Sequence, residues 1–151
     1  MASVRVTSDD QEFQRLLLEQ KVLEESARTL QERFELVSAA LRDSAIAQAT
    51  LQGIKTQKTE TEALIPIGAG SHVRAKLADV SKIVMGIGAG VAVEKPIDDS
   101  INEIKGRMAN LDKARTTIEE QLTQTLNKME QNRESINLLV KKHGGESITT
   151  I

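Results

Sequence analysis

Two long heptad patterns constrain the fold of this sequence more than any other feature. In the first half, apolar residues recur in alternating steps of three and four, and nine of the twelve positions are apolar. A pattern sustained over more than four heptads is typical of a coiled-coil seam, and it predicts a helix over about residues 9–54. The seam positions are Phe13, Leu16, Gln20, Leu23, Ala27, Leu30, Phe34, Val37, Leu41, Ser44, Gln48 and Leu51.

The second half repeats the pattern and predicts a second helix over residues 96–143. Ten of its thirteen seam positions are apolar. They are Ile97, Ile101, Ile104, Met108, Leu111, Arg115, Ile118, Leu122, Thr125, Met129, Asn132, Ile136 and Leu139. At 1.5 Å per residue each helix is about 60–65 Å long. Because neither helix can hide its seam alone, the simplest arrangement is an antiparallel coiled-coil hairpin.

Local signals predict where the helices begin and end. Ser8 and Gln11 fit a capping box ahead of the first helix, and Gly53 fits its end. Pro96 suits the first position of the second helix, and Gly144 follows its last residues. Two explanations stay open for the polar seam positions: they fix the register, or they lie where the coil frays. These positions are Gln20, Gln48, Arg115, Thr125 and Asn132.

The composition excludes several classes of protein. Only Phe13 and Phe34 are aromatic, and 28% of the residues are charged, so a thick globular core is not expected. The net charge of −2, from 20 basic and 22 acidic residues that are interleaved, leaves no basic stripe for nucleic acid. Cysteine is absent, no apolar run is long enough to span a membrane, and the polar first residues do not form a signal peptide. We therefore expect a cytoplasmic protein with no nucleic-acid or membrane partner.

Between the helices the sequence changes to a two-residue period. Four short strands are predicted at residues 64–67, 72–77, 82–87 and 91–94. The sequence Ile-Gly-Ala-Gly occurs twice, 20 residues apart, and each Gly-Ala-Gly can turn a strand back. These turn glycines are Gly68, Gly70, Gly88 and Gly90. We predict two tandem β-hairpins over residues 62–95, joined by residues 78–81.

Two hairpins of this size cannot bury both of their faces, so the insert is expected to assemble with other chains. A two-stranded hairpin is marginal in water, and its exposed edges pair readily with other strands. The apolar residues expected to form this oligomerisation surface are Leu64, Ile65, Ile67, Val73, Ala75, Leu77, Ile83, Val84, Ile87, Val91 and Val93.

The arrangement of helix, paired hairpins and helix resembles the alpha class of prefoldin subunits. Residues 63–94, ALIPIGAGSHVRAKLADVSKIVMGIGAGVAVE, resemble an archaeal prefoldin alpha subunit throughout, and the helix opening Ile97-Asp98-Asp99 extends the likeness. The resemblance implies one prefoldin-type domain over residues 1–151, with a flexible tail at 144–151. It is a mainly α fold with a small β insert, whose hairpins form a β-barrel between subunits.

The resemblance also implies a function and a set of partners. It implies an ATP-independent holdase without cofactor, in which two alpha-type and four beta-type subunits form a hexamer. Such complexes bind unfolded client proteins at the coiled-coil tips and deliver them to a group II chaperonin. The expected partners are therefore beta-type subunits, another copy of this chain, unfolded proteins and the chaperonin.

Holding an unfolded chain requires apolar surface that stays exposed at the open end of the helix pair, where the first helix starts and the second ends. We expect client contact there, although a widened seam that closes the end is an equally open explanation. The client-binding candidates are Val4, Val6, Phe13, Leu16, Leu17, Leu18, Val22, Leu138, Leu139, Val140 and Ile148.

Two rival functions remain to be separated from this one. One is a structural coiled-coil scaffold that binds no client. The other is an enzyme that uses the glycine loops for phosphate, but no third glycine or Gly-Lys-Ser/Thr motif is present, and each loop precedes a strand instead of a helix. His72 and His143 are far apart in the sequence, so we expect solvated histidines and no metal site. We expect no enzymatic activity.

Overall fold

The computed structural model describes residues 7–144 and confirms the predicted fold class. Two long helices flank two small antiparallel hairpins, and the helices pair as an antiparallel coiled coil. The elements are α1 (Ser8–Lys55), β1 (Glu62–Gly68), β2 (Ser71–Lys76), β3 (Lys82–Gly88), β4 (Val91–Pro96) and α2 (Ile97–His143).

The heptad seams account for the burial along both helices. Every predicted seam position is buried or half-buried, whereas most of the positions between them are exposed. The chain divides into two compact units, one with the start of α1 and the end of α2, and the other comprising Ser38–Lys113. In the first unit Lys142 contacts Asp9, and in the second Lys55 contacts Asp98, so the helices run antiparallel in each.

The start of α1 differs from its prediction by one residue. The capping box uses Thr7 and Asp10, so the prediction of Ser8 and Gln11 was wrong. The backbone N–H of Asp10 donates to Thr7 Oγ1 at 3.2 Å, and the backbone N–H of Thr7 donates to Asp10 Oδ2 at 3.0 Å. The carboxylate of Asp10 is a stronger acceptor for the N–H of Thr7 than an amide oxygen would be, and its charge suits the positive first turn of the helix. The bonds that Thr7 donates to this carboxylate, first from its hydroxyl at 2.6 Å and then from its backbone N–H, hold the pKa of Asp10 below its usual value.

Two other helix boundaries also differ from their predictions. Gly53 does not stop α1, which continues to Lys55 because Ile54, one residue later, packs on the apolar core. Pro96 is the last residue of β4, where it pairs with Lys82, and α2 begins at the next residue. At the other end Gly144 follows the last helical residue, as the sequence predicted.

The two hairpins share one backbone design. In each, a two-residue loop joins the strands, and the register shifts just before the loop, between Pro66 and Gly68 in the first hairpin and between Gly86 and Gly88 in the second. Both loop residues have positive φ, with Ala69 at 48° and Gly70 at 72° in the first hairpin. This is the geometry of the tight turns that match the twist of antiparallel strands, and it confirms the predicted turning role of the Gly-Ala-Gly segments.

The main apolar core lies in the unit Ser38–Lys113, where the second hairpin meets both helices. Its buried members are Leu51, Met85, Ile97, Ile101 and Ile104. We call this group the base cluster. Ser100 is fully buried beside it and donates a hydrogen bond from Oγ to the carbonyl oxygen of Pro96 at 3.0 Å. The base cluster includes one residue of the second hairpin and none of the first.

Candidate interaction surfaces

The first hairpin exposes most of its apolar side chains. Ile65 is 45% exposed and lies opposite Val73 on one face, with the half-buried Ala63 and Ala75 as the next pair. Among the oligomerisation candidates of this hairpin and its flank, Leu64, Ile65, Ile67 and Val73 are exposed, and Ala75 and Leu77 are half-buried. An apolar face of this kind is suited to contact with another protein.

The second hairpin presents the corresponding face to its own helices. Met85 occupies the position of Ile65 in the 20-residue repeat, yet it is only 7% exposed and belongs to the base cluster. Ile83 packs against the same cluster, and Val93, opposite Met85, is half-buried. The other candidates of this hairpin, Val84, Ile87 and Val91, are exposed.

Charged side chains add a second attachment between this hairpin and α2. Glu103 lies between Lys95 of β4 and Arg107 of its own helix, and it forms an ion pair with each. Arg107 also donates to the carbonyl oxygen of Gly86 at 3.3 Å. The hydrogen bonds from Lys95 and Arg107 hold the pKa of Glu103 below its usual value. The second hairpin is therefore fixed to α2 by packing and by charge.

Hydrogen bonds and an ion pair extend the first hairpin beyond the ends of its two strands. The backbone N–H of Glu60 donates to the carbonyl oxygen of Leu77 at 2.7 Å. The backbone N–H of Leu77 donates to the carbonyl oxygen of Thr61 at 2.9 Å. Lys76 lies 3.7 Å from the carboxylate of Glu60. The two backbone bonds extend the ladder of the hairpin, and none of the three contacts involves α1 or α2.

At the open end, five of the predicted client-binding residues are exposed. Leu18 and Leu138 are 65% and 67% exposed. The five are Leu17, Leu18, Val22, Leu138 and Val140, which we call the open-end apolar group. Of the seam candidates, Leu16 is buried and Phe13 and Leu139 are half-buried, so these three pack mainly between the helices. Val4, Val6 and Ile148 lie outside the described residues.

Exposed apolar side chains also occur away from the open end. Leu36 is 73% exposed, which its place off the seam predicts. Ile46 and Leu126 are exposed as well, and the sequence analysis did not single them out. They lie singly along the helices, whereas Leu17, Leu18 and Val22 fall within two turns of α1.

Near the open end, one polar seam residue makes a buried contact between α1 and α2. Asn132 is 6% exposed, and its Nδ2 donates to the carbonyl oxygen of Leu16 and to Oε1 of Gln20, both at 2.9 Å. Gln20 Nε2 in turn donates to Glu24 at 3.3 Å. At this position the structure favours the first of the two open explanations, a polar contact that fixes the register.

His143 is not the solvated histidine that we expected. It is half-buried, and its Nε2 lies 3.1 Å from Oδ2 of Asp9, which also accepts a hydrogen bond from Lys142 Nζ at 3.2 Å. The pKa of Asp9 is lowered, first by the bond from Lys142 and less by His143. The prediction failed because Asp9 is 134 residues away, and only the antiparallel pairing brings the two together.

The described part of the chain contains no cluster of metal-ligating side chains and no helix apolar enough to cross a membrane. His72 lies exposed on β2, as the sequence predicted. Sequence reasoning also missed the Thr7 cap, the ion pairs of Glu103 and the hydrogen bond of the buried Ser100. The i,i+4 spacing of Glu103 and Arg107 is a signal that could have indicated one of them.

Comparison with known proteins agrees with this arrangement. The family described as Prefoldin subunit matches residues 23–142. The chain is 35% identical to prefoldin subunit alpha of Methanopyrus kandleri over 112 residues, which are 74% of this chain and 71% of that protein. It is 32% identical to prefoldin subunit alpha 1 of Thermococcus kodakarensis over 103 residues, 68% of this chain and 70% of the relative. A chain of filamentous PFD from Methanocaldococcus jannaschii, solved by cryo-EM, is similar in fold, with a TM-score of 0.65, 19% identity and coverage of 76% of this chain and 95% of that one.

Proposed function

The chain belongs to the prefoldin family, a family of oligomeric chaperones, and from that premise we propose that it is an alpha-type subunit of an ATP-independent holdase. In this proposal the assembled complex binds unfolded proteins at the open ends of its helix pairs and delivers them to a group II chaperonin. It acts in the cytoplasm and catalyses no reaction.

The observation that carries the proposal is the exposed open-end apolar group. An unfolded client exposes its own apolar side chains, and contact between the two surfaces removes both from water. Each square ångström of apolar surface covered contributes roughly 25 cal/mol. Because this attraction is not directional, it suits a site that must accept many different sequences. Leu18 and Leu138, the most exposed members, supply the largest accessible area.

The hairpins support the assembly step of the proposal. The apolar face that includes Ile65 and Val73 is about half exposed in the described structure, and two-stranded hairpins are stable only when they pack against other structure. Contact with beta-type subunits and with a second copy of this chain supplies that packing. The proposed complex contains two alpha-type and four beta-type subunits.

A light-scattering assay of client aggregation tests the client-binding step. The double substitution Leu18→Ser and Leu138→Ser removes exposed side chains, so we expect the complex to assemble normally and to lose most of its ability to suppress aggregation without ATP. Leu36→Ser is the control, because it removes a leucine of similar exposure away from the open end. If the double variant suppresses aggregation as well as the control does, the open end is not the client site and the scaffold function gains support.

A further inference from the structure

The open end of the helix pair contains a buried polar site that the client-binding surface does not use. Asn132 occupies a seam position where the neighbouring seam residues on α2 are Met129 and Ile136. A leucine there would bury only apolar surface. The amide instead brings one donor group and one acceptor oxygen into the seam, where each needs a partner.

The orientation of this amide is fixed by its partners. The carbonyl oxygen of Leu16 can only accept a hydrogen bond, so the atom of Asn132 that faces it must be Nδ2. The second hydrogen of Nδ2 goes to Oε1 of Gln20, whose own amide group is directed to Glu24. Both hydrogens of Asn132 Nδ2 are therefore hydrogen-bonded, and a chain of hydrogen bonds runs from the buried Asn132 through Gln20 to the exposed carboxylate of Glu24.

The acceptor side of the same amide has no partner. Oδ1 of Asn132 is buried and makes no hydrogen bond in the described structure. An unpaired buried acceptor destabilises the closed helix pair relative to an apolar residue of similar size. The site is thus poor as a source of stability, which points to a different role for the residue.

We propose that Asn132 and Gln20 are positioning residues that select one alignment of α1 against α2 at the open end. In the observed alignment only Oδ1 is unpaired. If either helix turns or slides by a fraction of a turn, Nδ2 loses both acceptors while it stays buried, so the competing alignments leave donor and acceptor unpaired together. A purely apolar seam carries no such penalty, because leucine side chains repack in several arrangements.

The alignment matters for the proposed client site, and this part of the inference rests on the proposed function. Leu17 and Leu18 lie next to Leu16, whose carbonyl accepts the bond, whereas Leu138 and Val140 follow Asn132 within about two turns of α2. The relative placement of these two groups is set by the contact between Leu16 and Asn132. Selecting one alignment keeps the open-end apolar group in one arrangement.

The substitution Asn132→Leu should change the stability and the alignment of the helix pair in opposite directions. We expect this variant to melt at a higher temperature than the wild type, because the unpaired oxygen is removed, and yet to lose its single alignment. Since the sequence has no cysteine, spin labels can be placed at Arg15→Cys and Arg133→Cys, both exposed and adjacent to the contact. Pulsed electron spin resonance on the assembled complex, labelled only in this chain, then reports the distance distribution across the helix pair.

The expected result is one narrow distance peak in the wild type and a broadened or double peak in Asn132→Leu. Gln131→Leu, which adds the same side chain at the neighbouring exposed position, should keep the narrow peak. Asn132→Met gives the same comparison with a more flexible side chain, in case leucine alters assembly. An unchanged narrow peak in both Asn132 variants would overturn the inference.

Client capture by the same samples distinguishes this inference from the proposed function. Suppression of aggregation that falls in Asn132→Leu but not in Gln131→Leu supports the positioning role. If the wild type suppresses aggregation and the Asn132 variants do so equally well despite broadened peaks, the link between alignment and client binding is wrong. If the wild-type complex does not suppress aggregation, the proposed function itself fails, whatever the distance distribution.

Discussion

The two hairpins of this chain have the same backbone but different surroundings. Both have a two-residue loop with positive φ and a register shift just before it. Met85 of the second hairpin is buried against Leu51 and three isoleucines of α2, whereas Ile65 of the first is nearly half exposed. The same local design thus yields one hairpin packed against its own helices and one whose apolar face is about half exposed.

The residues that turn a hairpin and the residues that cover its faces are therefore independent of each other. The glycines and the strand pattern determine that a hairpin forms, and they do so equally in both repeats. Whether a face of the hairpin is covered depends on other elements, and only the second hairpin contributes a residue to the base cluster. In the second hairpin the ion pairs of Glu103 with Lys95 and Arg107 reinforce that packing.

The largest expected effect is on stability, and it separates Met85 from Ile65. Met85→Ala should lower the free energy of unfolding of the isolated chain by about 2–5 kcal/mol, because it leaves a cavity in the base cluster. Ile65→Ala should cost well under half as much, since that side chain is already partly in water. Urea denaturation followed by circular dichroism measures both values. Equal losses would mean that the two hairpins are equally covered.

The next effect is on assembly, and it should fall on the first hairpin. Ile65→Asp places a charge on the exposed apolar face, so we expect the isolated chain to fold normally and to bind its partner subunits at least about tenfold more weakly, as expected when an interface anchor is lost. Native mass spectrometry with a beta-type subunit measures the fraction assembled. His72→Asp, which lies on the opposite face beside Pro66, is the matched control. Assembly of the Ile65 variant at the control level would contradict the role of this face.

Much of this comparison was predictable from the sequence, and a definite part was not. The heptads placed every seam residue, and the repeated Gly-Ala-Gly placed both turns, because each depends on residues close in the chain. The burial of Met85 and the pairing of Asp9 with His143 depend on residues far apart, which a periodic pattern does not report. The exposure of the open-end apolar group follows from the place of its members off the seam, whereas Leu16, also a client-binding candidate, lies on the seam and is buried.

The smallest expected effect is a pH dependence that belongs to the second hairpin. The pKa of Glu103 is lowered in the folded chain, from an ordinary value of 4.5, by its bonds with Lys95 and Arg107. The stabilisation from these bonds is therefore present above about pH 4.5 and is lost as the pH falls through the lowered pKa. Glu103→Gln should be slightly less stable than the wild type at pH 7, and the gap should close on acidification.

Melting temperatures measured between pH 7 and pH 3 test this prediction. Glu60→Gln is the control, since its pair with Lys76 lies at the base of the first hairpin and both side chains are well exposed. Glu60→Gln should follow the wild type closely over the whole range. If the difference in melting temperature between Glu103→Gln and the wild type were the same at every pH, the ion pairs of Glu103 would not stabilise the contact between the second hairpin and α2.

Hydrogen exchange followed by mass spectrometry gives the strongest single test, because it follows the first hairpin and the open end in the same experiment. In the assembled complex, compared with the isolated chain, we expect slower exchange across the first hairpin, residues 62–76. On addition of an unfolded client, we expect slower exchange around residues 13–22 and 132–142, with the hairpins unchanged. Client-dependent protection at the hairpins, with none at the open end, would contradict the division between an assembling face and a client-binding end.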